Sequence, residues 1–405
     1  MARKMKDSGI EWIGEIPEGW SIARGKHILT LLQRAVFPTD GVITCFRDGE
    51  VTLRSNRRED GFTVSLKEIG YQGIEPGDLV VHGMDGFAGS IGISDSRGKS
   101  SPVLVVLDSS QDKKYLMYYL RSMAYNNVFL ALSTGIRVRS CDLKWNKLAD
   151  LLYLVPPIVE QHKLVSFLDE KCSEIDAMLS KTRASIEEYK KLKQAVITQA
   201  VTTLNCPNVK LKYLMDIIVD CPHETPIYTF TGNYLVIRTS DQSLASLRCD
   251  EYMYRLDEAE YKKRTRRLTL DKDDIVYGRE GSWGLACLVP QSNKYCLGQR
   301  VMQFRCNTRL LYPQYAMYAL NSETVYMQGA LDTIGSTAPH VNISTICNYL
   351  LPVPALNEQK EITNYLDAKC AEIDGLIAKK EQLVKELESY KKSLIYEVVT
   401  GKREV

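Results

Sequence analysis

The sequence lacks several patterns that would place it in a large protein class at once. No run of 18 apolar residues is present, so no transmembrane helix is expected. The basic first residues are followed by no apolar stretch, which argues against a secretory signal. None of the 11 cysteines forms a Cys-x-x-Cys pair, which argues against a disulfide framework and a zinc cage. These absences favour a soluble protein of the reducing cytoplasm.

Motifs for catalysis are missing as well. Methyl transfer to a base would need an Asn/Asp-Pro-Pro-aromatic site, but Pro156-Pro157 lies between Val155 and Ile158. An ATPase would need Gly-x4-Gly-Lys-Ser/Thr, whereas the segment from Gly92 to Ser100 has five residues between its glycines. The five histidines show no metal-ligand spacing. The sequence therefore predicts no catalysis and no metal site in this chain.

One internal repeat organises the 405 residues, a length that favours two or three domains. Shifted by 198 positions, Val155–Thr202 aligns without a gap on Val353–Thr400. The copies share Pro156 and Pro354, Glu160-Gln161 and Glu358-Gln359, Leu168-Asp169 and Leu366-Asp367, Lys171-Cys172 and Lys369-Cys370, and Glu174-Ile175-Asp176 and Glu372-Ile373-Asp374. Each copy opens with prolines and then runs for more than 40 residues without one, which predicts a long helix.

A heptad seam follows each predicted helix and is apolar at eight of ten positions. The seam residues include Leu168, Cys172, Ile175, Leu179 and Ile186 in the first copy, and Leu366, Cys370, Ile373, Ile377 and Val384 in the second. So narrow a seam needs a partner, and we expect the two helices to pair as an antiparallel coiled coil with pseudo-two-fold symmetry. At the polar seam positions, Lys193 and Lys391 are expected to extend to solvent, with DNA or a partner subunit as the alternative.

Two segments of domain size flank the first predicted helix, and they resemble each other. Gly77–Gly86 and Asp273–Gly281 each indicate a short strand that runs into a glycine-containing turn. The predicted fold class is α+β, with modules at 1–155 and 205–353 and long helices at 156–204 and 354–405.

This plan resembles that of the specificity subunits of Type I restriction-modification enzymes. The opening Asp7-Ser8-Gly9-Ile10-Glu11-Trp12 through Trp20 is similar to the family's N-terminal signature. The two Glu-Gln segments after the prolines are similar to its helix entries, and Val399-Thr400-Gly401-Lys402 to its ending. The resemblance covers essentially the whole chain.

The resemblance implies a division of labour between modules and helices. Each module would be a target-recognition domain that reads one half of a split sequence in double-stranded DNA. The helices would act as a ruler and would dock two methyltransferase subunits, which motor-nuclease (restriction) subunits join. S-adenosylmethionine, ATP and magnesium would be used by those partners, and this chain would bind no cofactor.

DNA binding needs cations near phosphates and amides or guanidinium groups at base edges. Two sets of residues meet this need, although a charge run is often only a solvated surface and turn residues often only cap turns. The cation clusters are Arg54, Asn56, Arg57 and Arg58 in the first module and Lys262, Lys263, Arg264, Arg266 and Arg267 in the second. The turn residues are Arg137 and Arg139 in the first module and Gln299, Arg300, His340 and Asn342 in the second.

Two other functions remain open at this stage. The chain could be a coiled-coil interaction scaffold that binds no DNA, or an enzyme whose site matches no familiar motif. Steeply salt-dependent binding to duplex DNA would exclude the scaffold. Methyl transfer by the purified chain alone would support the enzyme.

Overall fold

The computed structural model describes residues 3–57, 68–131, 143–203, 205–248, 250–281, 283–331, 333 and 340–405. The chain divides into two compact units. One consists of Met1–Thr182 and Leu383–Val405, and the other of Arg183–Gln382. Each unit therefore combines one module with a part of each long helix.

The first module consists of short strands and helices around one antiparallel sheet. Its described strands are β1 (Met5–Asp7), β2 (Glu15–Pro17), β3 (Ser21–Arg24), β4 (Leu29–Leu31), β5 (Ile43–Cys45), β6 (Val51–Leu53), β7 (Gln72–Ile74), β8 (Leu79–His82), β9 (Ile91–Ile93), β10 (Gly98–Ser100), β11 (Leu104–Ser109) and β12 (Leu152–Val155). Its described helices are α1 (Gly25–Ile28), α2 (Lys113–Tyr125), α3 (Val128–Ala131) and α4 (Trp145–Asp150). The main sheet has the order β4-β11-β8-β9 and is antiparallel throughout.

The second module builds the same main sheet from a different sequence. The long helix α5 (Ile158–Thr202) precedes it, and its described strands are β13 (Asn208–Lys210), β14 (Met215–Asp220), β15 (Tyr234–Ile237), β16 (Gln242–Ser243), β17 (Ser246–Leu247), β18 (Arg255–Leu256), β19 (Ile275–Gly278), β20 (Ala286–Leu288), β21 (Tyr295–Leu297), β22 (Val301–Cys306) and β23 (Leu350–Pro352). Its described helices are α6 (Glu258–Arg264), α7 (Pro313–Leu320), α8 (Glu323–Ala330) and α9 (Ile343–Cys347), and the long helix α10 (Leu356–Val399) follows. The antiparallel order β14-β22-β19-β20 repeats that of the first module, which confirms the α+β fold.

Both predicted long helices are present. Helix α5 has 45 residues and begins directly after Pro157, while α10 has 44 residues and begins two residues after Pro354. The proline rings block helix upstream, and the proline-free sequence downstream permits it to continue.

The predicted seam is buried, and the helices pair antiparallel within each unit. Leu168, Cys172, Ile175, Leu179, Ile186, Leu366, Cys370 and Ile373 are at most 7% exposed, and Ile377 and Val384 are half-buried. In the first unit, Phe167 contacts Arg403 and Asp176 contacts Lys391. A later residue of α5 therefore contacts an earlier residue of the C-terminal segment, which is the antiparallel arrangement. In the second unit, Tyr189 meets Lys380 and Lys193 meets Asp374 in the same sense.

The expectation that the seam lysines extend to solvent is wrong for Lys193, whereas Lys391 is partly exposed. The side chain of Lys193 is only 8% exposed, and its Nζ lies 2.8 Å from a carboxylate oxygen of Asp374 and 3.1 Å from the carbonyl oxygen of Leu244. Lys391 pairs with Asp176 in the same way, at 2.6 Å. An ammonium group so close to the seam needs a carboxylate partner, because burial without one is costly. The repeated Glu-Ile-Asp motif supplies that partner in each helix.

The repeated glutamines join each module to its long helix. The buried Gln161 accepts a hydrogen bond from the backbone N–H of Asp112 at 2.9 Å and donates to the carbonyl of Pro156 at 2.8 Å. Asp112 is the N-cap of α2, so the amide satisfies a helix-start N–H. Gln359 does the same in the second unit, with the N–H of Tyr312 at 2.7 Å and the carbonyl of Pro354 at 2.9 Å. We call these two side chains the glutamine staples.

A second repeated contact supports each staple. Asp169 accepts a hydrogen bond from the Tyr118 hydroxyl at 2.8 Å, and Asp367 accepts one from Tyr318 at 2.7 Å. Both tyrosines lie on the helix that the staple caps, α2 or α7. The position of each of these helices on its long helix is therefore fixed by equivalent polar contacts.

The opening and closing motifs of the chain pack together in the first unit. Gly401 follows α10 with a φ of +72°, and a Cβ at this position would overlap the ring of Pro17. Only glycine combines the left-handed conformation with that close approach. The buried Trp20 lies on the other side of the same contact. The N-terminal signature and the Thr-Gly ending are thus two sides of one packing contact.

Candidate nucleic-acid interface

A polar cleft in the first module lies beside the turn that joins β5 to β6. Its volume is about 770 Å³, and its polar lining consists of Thr44, Arg47, Asp48, Arg54, Arg57, Tyr71, His82, Asp85 and Ser101. Gly49 in the turn has a φ of +89°, and its carbonyl accepts a hydrogen bond from Arg121 of α2 at 2.8 Å. The main sheet therefore holds this turn through α2.

The cleft collects the predicted first-module cations that the structure describes. Arg57 lies 4.2 Å above the ring of Phe46 and pairs with Glu50 at 3.0 Å. Arg54 donates to the Thr44 hydroxyl at 3.2 Å. Asn56 donates a hydrogen bond to the Thr52 hydroxyl at 2.9 Å, and this contact stabilises the 3₁₀ turn to which Asn56 belongs. The guanidinium groups are thus held in place before any ligand binds, which lowers the entropy cost of binding.

Two residues of this cleft did not emerge from the sequence. Arg47 pairs with Asp85 at 3.0 Å, and its side chain is 57% exposed. The Nδ1 of His82 accepts hydrogen bonds from the backbone N–H groups of Met84 and Asp85 at 3.3 and 3.0 Å, and burial lowers its pKa. The neutral ring therefore carries its proton on Nε2. The Asp48-Gly49 pair between two strands was a hairpin signal that could have located Arg47.

The predicted cation cluster of the second module separates into different roles. Arg264 is 7% exposed and donates to the carbonyl groups of residues 222, 224 and 297 at 3.0–3.4 Å. This geometry gives Arg264 a structural role instead of the predicted DNA contact. Lys262 pairs with Glu258 at 2.6 Å, and Lys263 pairs with Glu224 at 2.7 Å. Arg266 and Arg267 are exposed and remain candidates for phosphate contact.

Two of the predicted turn residues of the second module, Arg300 and His340, contact the glycine turn after β19. The carbonyl of Arg300 accepts from the N–H of Arg279 at 2.9 Å, while His340 bridges to Glu280. Arg300 is exposed and has a φ of +71°, a conformation that costs a non-glycine residue energy and often marks a functional position. Gln299 donates to Thr225 at 3.2 Å, and Asn342 is the exposed N-cap of α9. Their predicted counterparts, Arg137 and Arg139, lie outside the described residues, as does Arg58.

The same turn carries an ion pair that is largely buried. The Arg279 side chain is 9% exposed, and its guanidinium contacts the carboxylates of Glu280 at 2.9 Å and Asp220 at 3.3 Å. The Nε2 of His223 lies 3.0 Å from a carboxylate oxygen of Asp220. These contacts hold the turn, to which the backbones of Arg300 and His340 bind.

Within its described residues, the chain has neither a metal-binding cluster nor a membrane-spanning helix. No three histidine, cysteine, aspartate or glutamate side chains there are close enough to share a metal ion. No helix in the same residues combines the length and apolarity needed to cross a bilayer.

Comparison with known proteins agrees with the geometry. Residues 220–386 match the family described as the Type I restriction modification DNA specificity domain. A specificity subunit named for the type I restriction enzyme MjaX, from Methanocaldococcus jannaschii, is 21% identical over 96% of this chain and 95% of its own. The specificity subunit of the type I restriction enzyme EcoBI, from Escherichia coli, is 28% identical over 32% of this chain, and that match spans only 27% of the EcoBI subunit.

A solved structure shows the same fold. It is described as the structural basis underlying complex assembly and conformational transition of the type I R-M system. One of its chains has a TM-score of 0.71 and 15% identity, over 96% of this chain and 99% of that one. In sequence and in fold, the chain is therefore similar to the specificity subunits of Type I restriction-modification enzymes.

Proposed function

We propose that this chain selects the DNA site of a Type I restriction-modification enzyme, with each module reading one half of a bipartite target. The observation that carries the proposal is the duplicated architecture. The same four-stranded antiparallel sheet occurs twice, and an equivalent glutamine staple holds each copy to a long helix. Two readers with equal scaffolds and different surfaces suit two different half-sequences in double-stranded DNA. The long helices would set the number of unread base pairs between the halves.

A repeated surface on the long helices suits the docking of two methyltransferase subunits. Lys171, Glu174 and Lys181 of α5 recur as Lys369, Glu372 and Lys379 of α10, and we call each set of three a docking stripe. Lys171 pairs with Glu174, and Lys369 with Glu372, each at 2.9 Å on an open helix surface. Such exposed pairs add little to stability, so the fold gives no strong reason to repeat them. The repeat is explained if one copy of the same partner binds the docking stripe of each long helix.

An apolar side chain accompanies each docking stripe. Met178 lies between Glu174 and Lys181, and Tyr365 lies one turn before Lys369; both are 52% exposed. Exposed apolar side chains beside charged ones are typical of a protein interface. We infer that motor-nuclease subunits join through the methyltransferases, and that S-adenosylmethionine, ATP and magnesium act there. This chain would then supply recognition without catalysis.

Methylome sequencing tests the proposal. A bacterial host would express this chain with its cognate methyltransferase subunit, and the modified bases of its genome would be mapped. We expect a split motif, with two specified halves around a constant unspecified spacer. A continuous motif, or no modification that depends on this chain, would contradict the proposal.

The alternative of a scaffold that binds no DNA is tested by the salt dependence of binding. The assembled complex should bind duplex DNA with a log K that falls linearly with log salt, because phosphate contacts release counterions. A complex that forms normally and shows no such binding would favour the scaffold.

A further inference from the structure

Exposed aromatic side chains gather at one place in the second module. We define the aromatic cluster as Tyr228, Phe230, Tyr252 and Tyr254, which are 40%, 102%, 59% and 48% exposed. The rings of Tyr228 and Tyr254 lie 4.5 Å apart. Single exposed aromatics are ordinary, but a group of four marks a binding surface.

The turn that carries Phe230 is anchored on both sides. Thr229 forms an antiparallel bridge with Arg255, and its N–H donates to the Arg255 carbonyl at 2.9 Å. At Gly232, an added Cβ would overlap the carbonyl of Leu256, so a larger residue could not sit so close to β18. Phe230 stands between these two anchors. Its full exposure therefore comes from a fixed backbone, and the ring is presented before any partner arrives.

Cations accompany the rings. The guanidinium of Arg238 lies 3.8 Å from the ring of Tyr254, and Asp241 holds it by two hydrogen bonds of 2.7 and 2.8 Å. Arg248 lies 5.2 Å from the ring of Tyr252. The nearby carboxylate of Asp250 is already paired with Lys294 at 2.6 Å. The charge of Arg238 is balanced by Asp241, whereas Arg248 is exposed beside the rings. Nucleic acid combines flat bases with negative charge and therefore suits this surface.

We propose that the aromatic cluster stacks on bases of the target duplex, and that Phe230 is a wedge that enters between neighbouring base pairs and bends the DNA. The inference rests on the proposed function, because the duplex is the occupant. The cluster also lies within residues 220–386, the part of the chain that matches the DNA specificity domain. A wedge specifies sequence through the ease of unstacking a base step, which adds to direct contacts with base edges.

The test uses the complex of the full chain with its methyltransferase subunits and a duplex that contains the mapped target. End-to-end energy transfer would report the bend, and 2-aminopurine at successive half-site positions would report unstacking. Phe230→Ala should weaken binding about tenfold to a hundredfold, remove the 2-aminopurine signal at one step and reduce the bend. Its salt slope should stay unchanged, because no phosphate contact is lost.

Two variants make the result specific. Phe230→Leu should retain most of the bend, since leucine is also an apolar wedge. Tyr213→Ala should change nothing, because Tyr213 is an exposed aromatic (64%) in the same module but outside the cluster.

The possible failures are distinguishable. If the wild-type complex does not bind the duplex, both the proposed function and the wedge are overturned. If the wild type binds and Phe230→Ala binds and bends DNA equally well, only the wedge is overturned. A Phe230→Ala chain that loses its methyltransferase subunits while retaining its own DNA affinity would assign the cluster to a protein partner, against the proposal.

Discussion

The first module presents guanidinium groups in a polar cleft, whereas the second presents aromatic rings on an anchored turn. Both modules contain a main sheet of the same strand order, and both are joined to a long helix by the same kind of staple. In the first, Phe46 is buried beneath Arg57; in the second, Phe230 is fully exposed. The comparison indicates that the scaffold is duplicated while the surface is free to diverge. Substitutions in the scaffold and substitutions in the two surfaces should therefore have different effects.

The largest effects should come from the glutamine staples, and they should be equal in the two modules. Gln161→Ala and Gln359→Ala each leave buried N–H and carbonyl groups without partners, at a cost of about 2–3 kcal/mol of unfolding free energy. Urea titration measures the change, with Gln199→Ala on the exposed surface of α5 as the control. A loss in one module alone would break the scaffold equivalence.

The ion pairs Lys193–Asp374 and Lys391–Asp176 should stabilise the fold by unequal amounts. Asp374→Ala leaves the nearly buried Lys193 without its carboxylate, so we expect a loss of about 2 kcal/mol in unfolding free energy. Asp176→Ala should cost under about 1 kcal/mol, because Lys391 is 23% exposed and can turn to water. Denaturant unfolding of the two variants checks the order. Equal losses would show that the difference in burial has no energetic consequence.

Substitutions in the cation cluster of the second module test whether that module also binds DNA through its positive charges. Arg266→Ala and Arg267→Ala should each lower the slope of log K against log salt by about one, with stability unchanged. Arg264→Ala is the matched variant, and it should lower stability by about 1–2 kcal/mol because three backbone carbonyls lose their donor. Salt titrations and thermal unfolding give both readouts. If neither variant changes the salt slope, Arg266 and Arg267 do not contact phosphates, and the aromatic cluster is then the main proposed DNA contact of this module.

The smallest effect concerns pH and should be confined to the first module. Because burial lowers the pKa of His82, this side chain is protonated at a lower pH in the folded state than in the unfolded chain. Its contribution to stability is therefore present above the ordinary histidine pKa of about 6.5 and is lost as pH falls below it. In the second module the residue directly before the glycine turn is Tyr277, and burial raises its pKa well above the usual range.

The measurement is the unfolding free energy of wild type and His82→Gln between pH 5 and 8. The difference between them should shrink toward acid pH. If the difference in unfolding free energy between wild type and His82→Gln is constant with pH, the titration of His82 does not contribute to the pH dependence of stability.

The sequence predicted the parts of the fold that depend on local periodicity. The repeat located both long helices, and the heptad spacing selected seam residues such as Leu168 and Leu366, which are fully buried. Proline and the 3.6-residue period act over a few turns of one helix, and so they can be read from the sequence alone.

Contacts between distant segments could not be predicted in this way. Arg264 belongs to a charge run, and only the carbonyls of residues 222, 224 and 297 show that it is buried. The aromatic cluster joins residues some 25 positions apart through the Thr229–Arg255 bridge. The lysine expectation failed for the same reason, because Asp374 lies 181 residues from Lys193.

If each module reads its own half of the target, the two modules can be exchanged separately. In the test, residues 205–352 are replaced with the matching segment of another specificity subunit, and the methylome of the host is mapped. We expect one half of the split motif to change while the other half stays the same. A change in both halves, or in neither, would contradict this expectation.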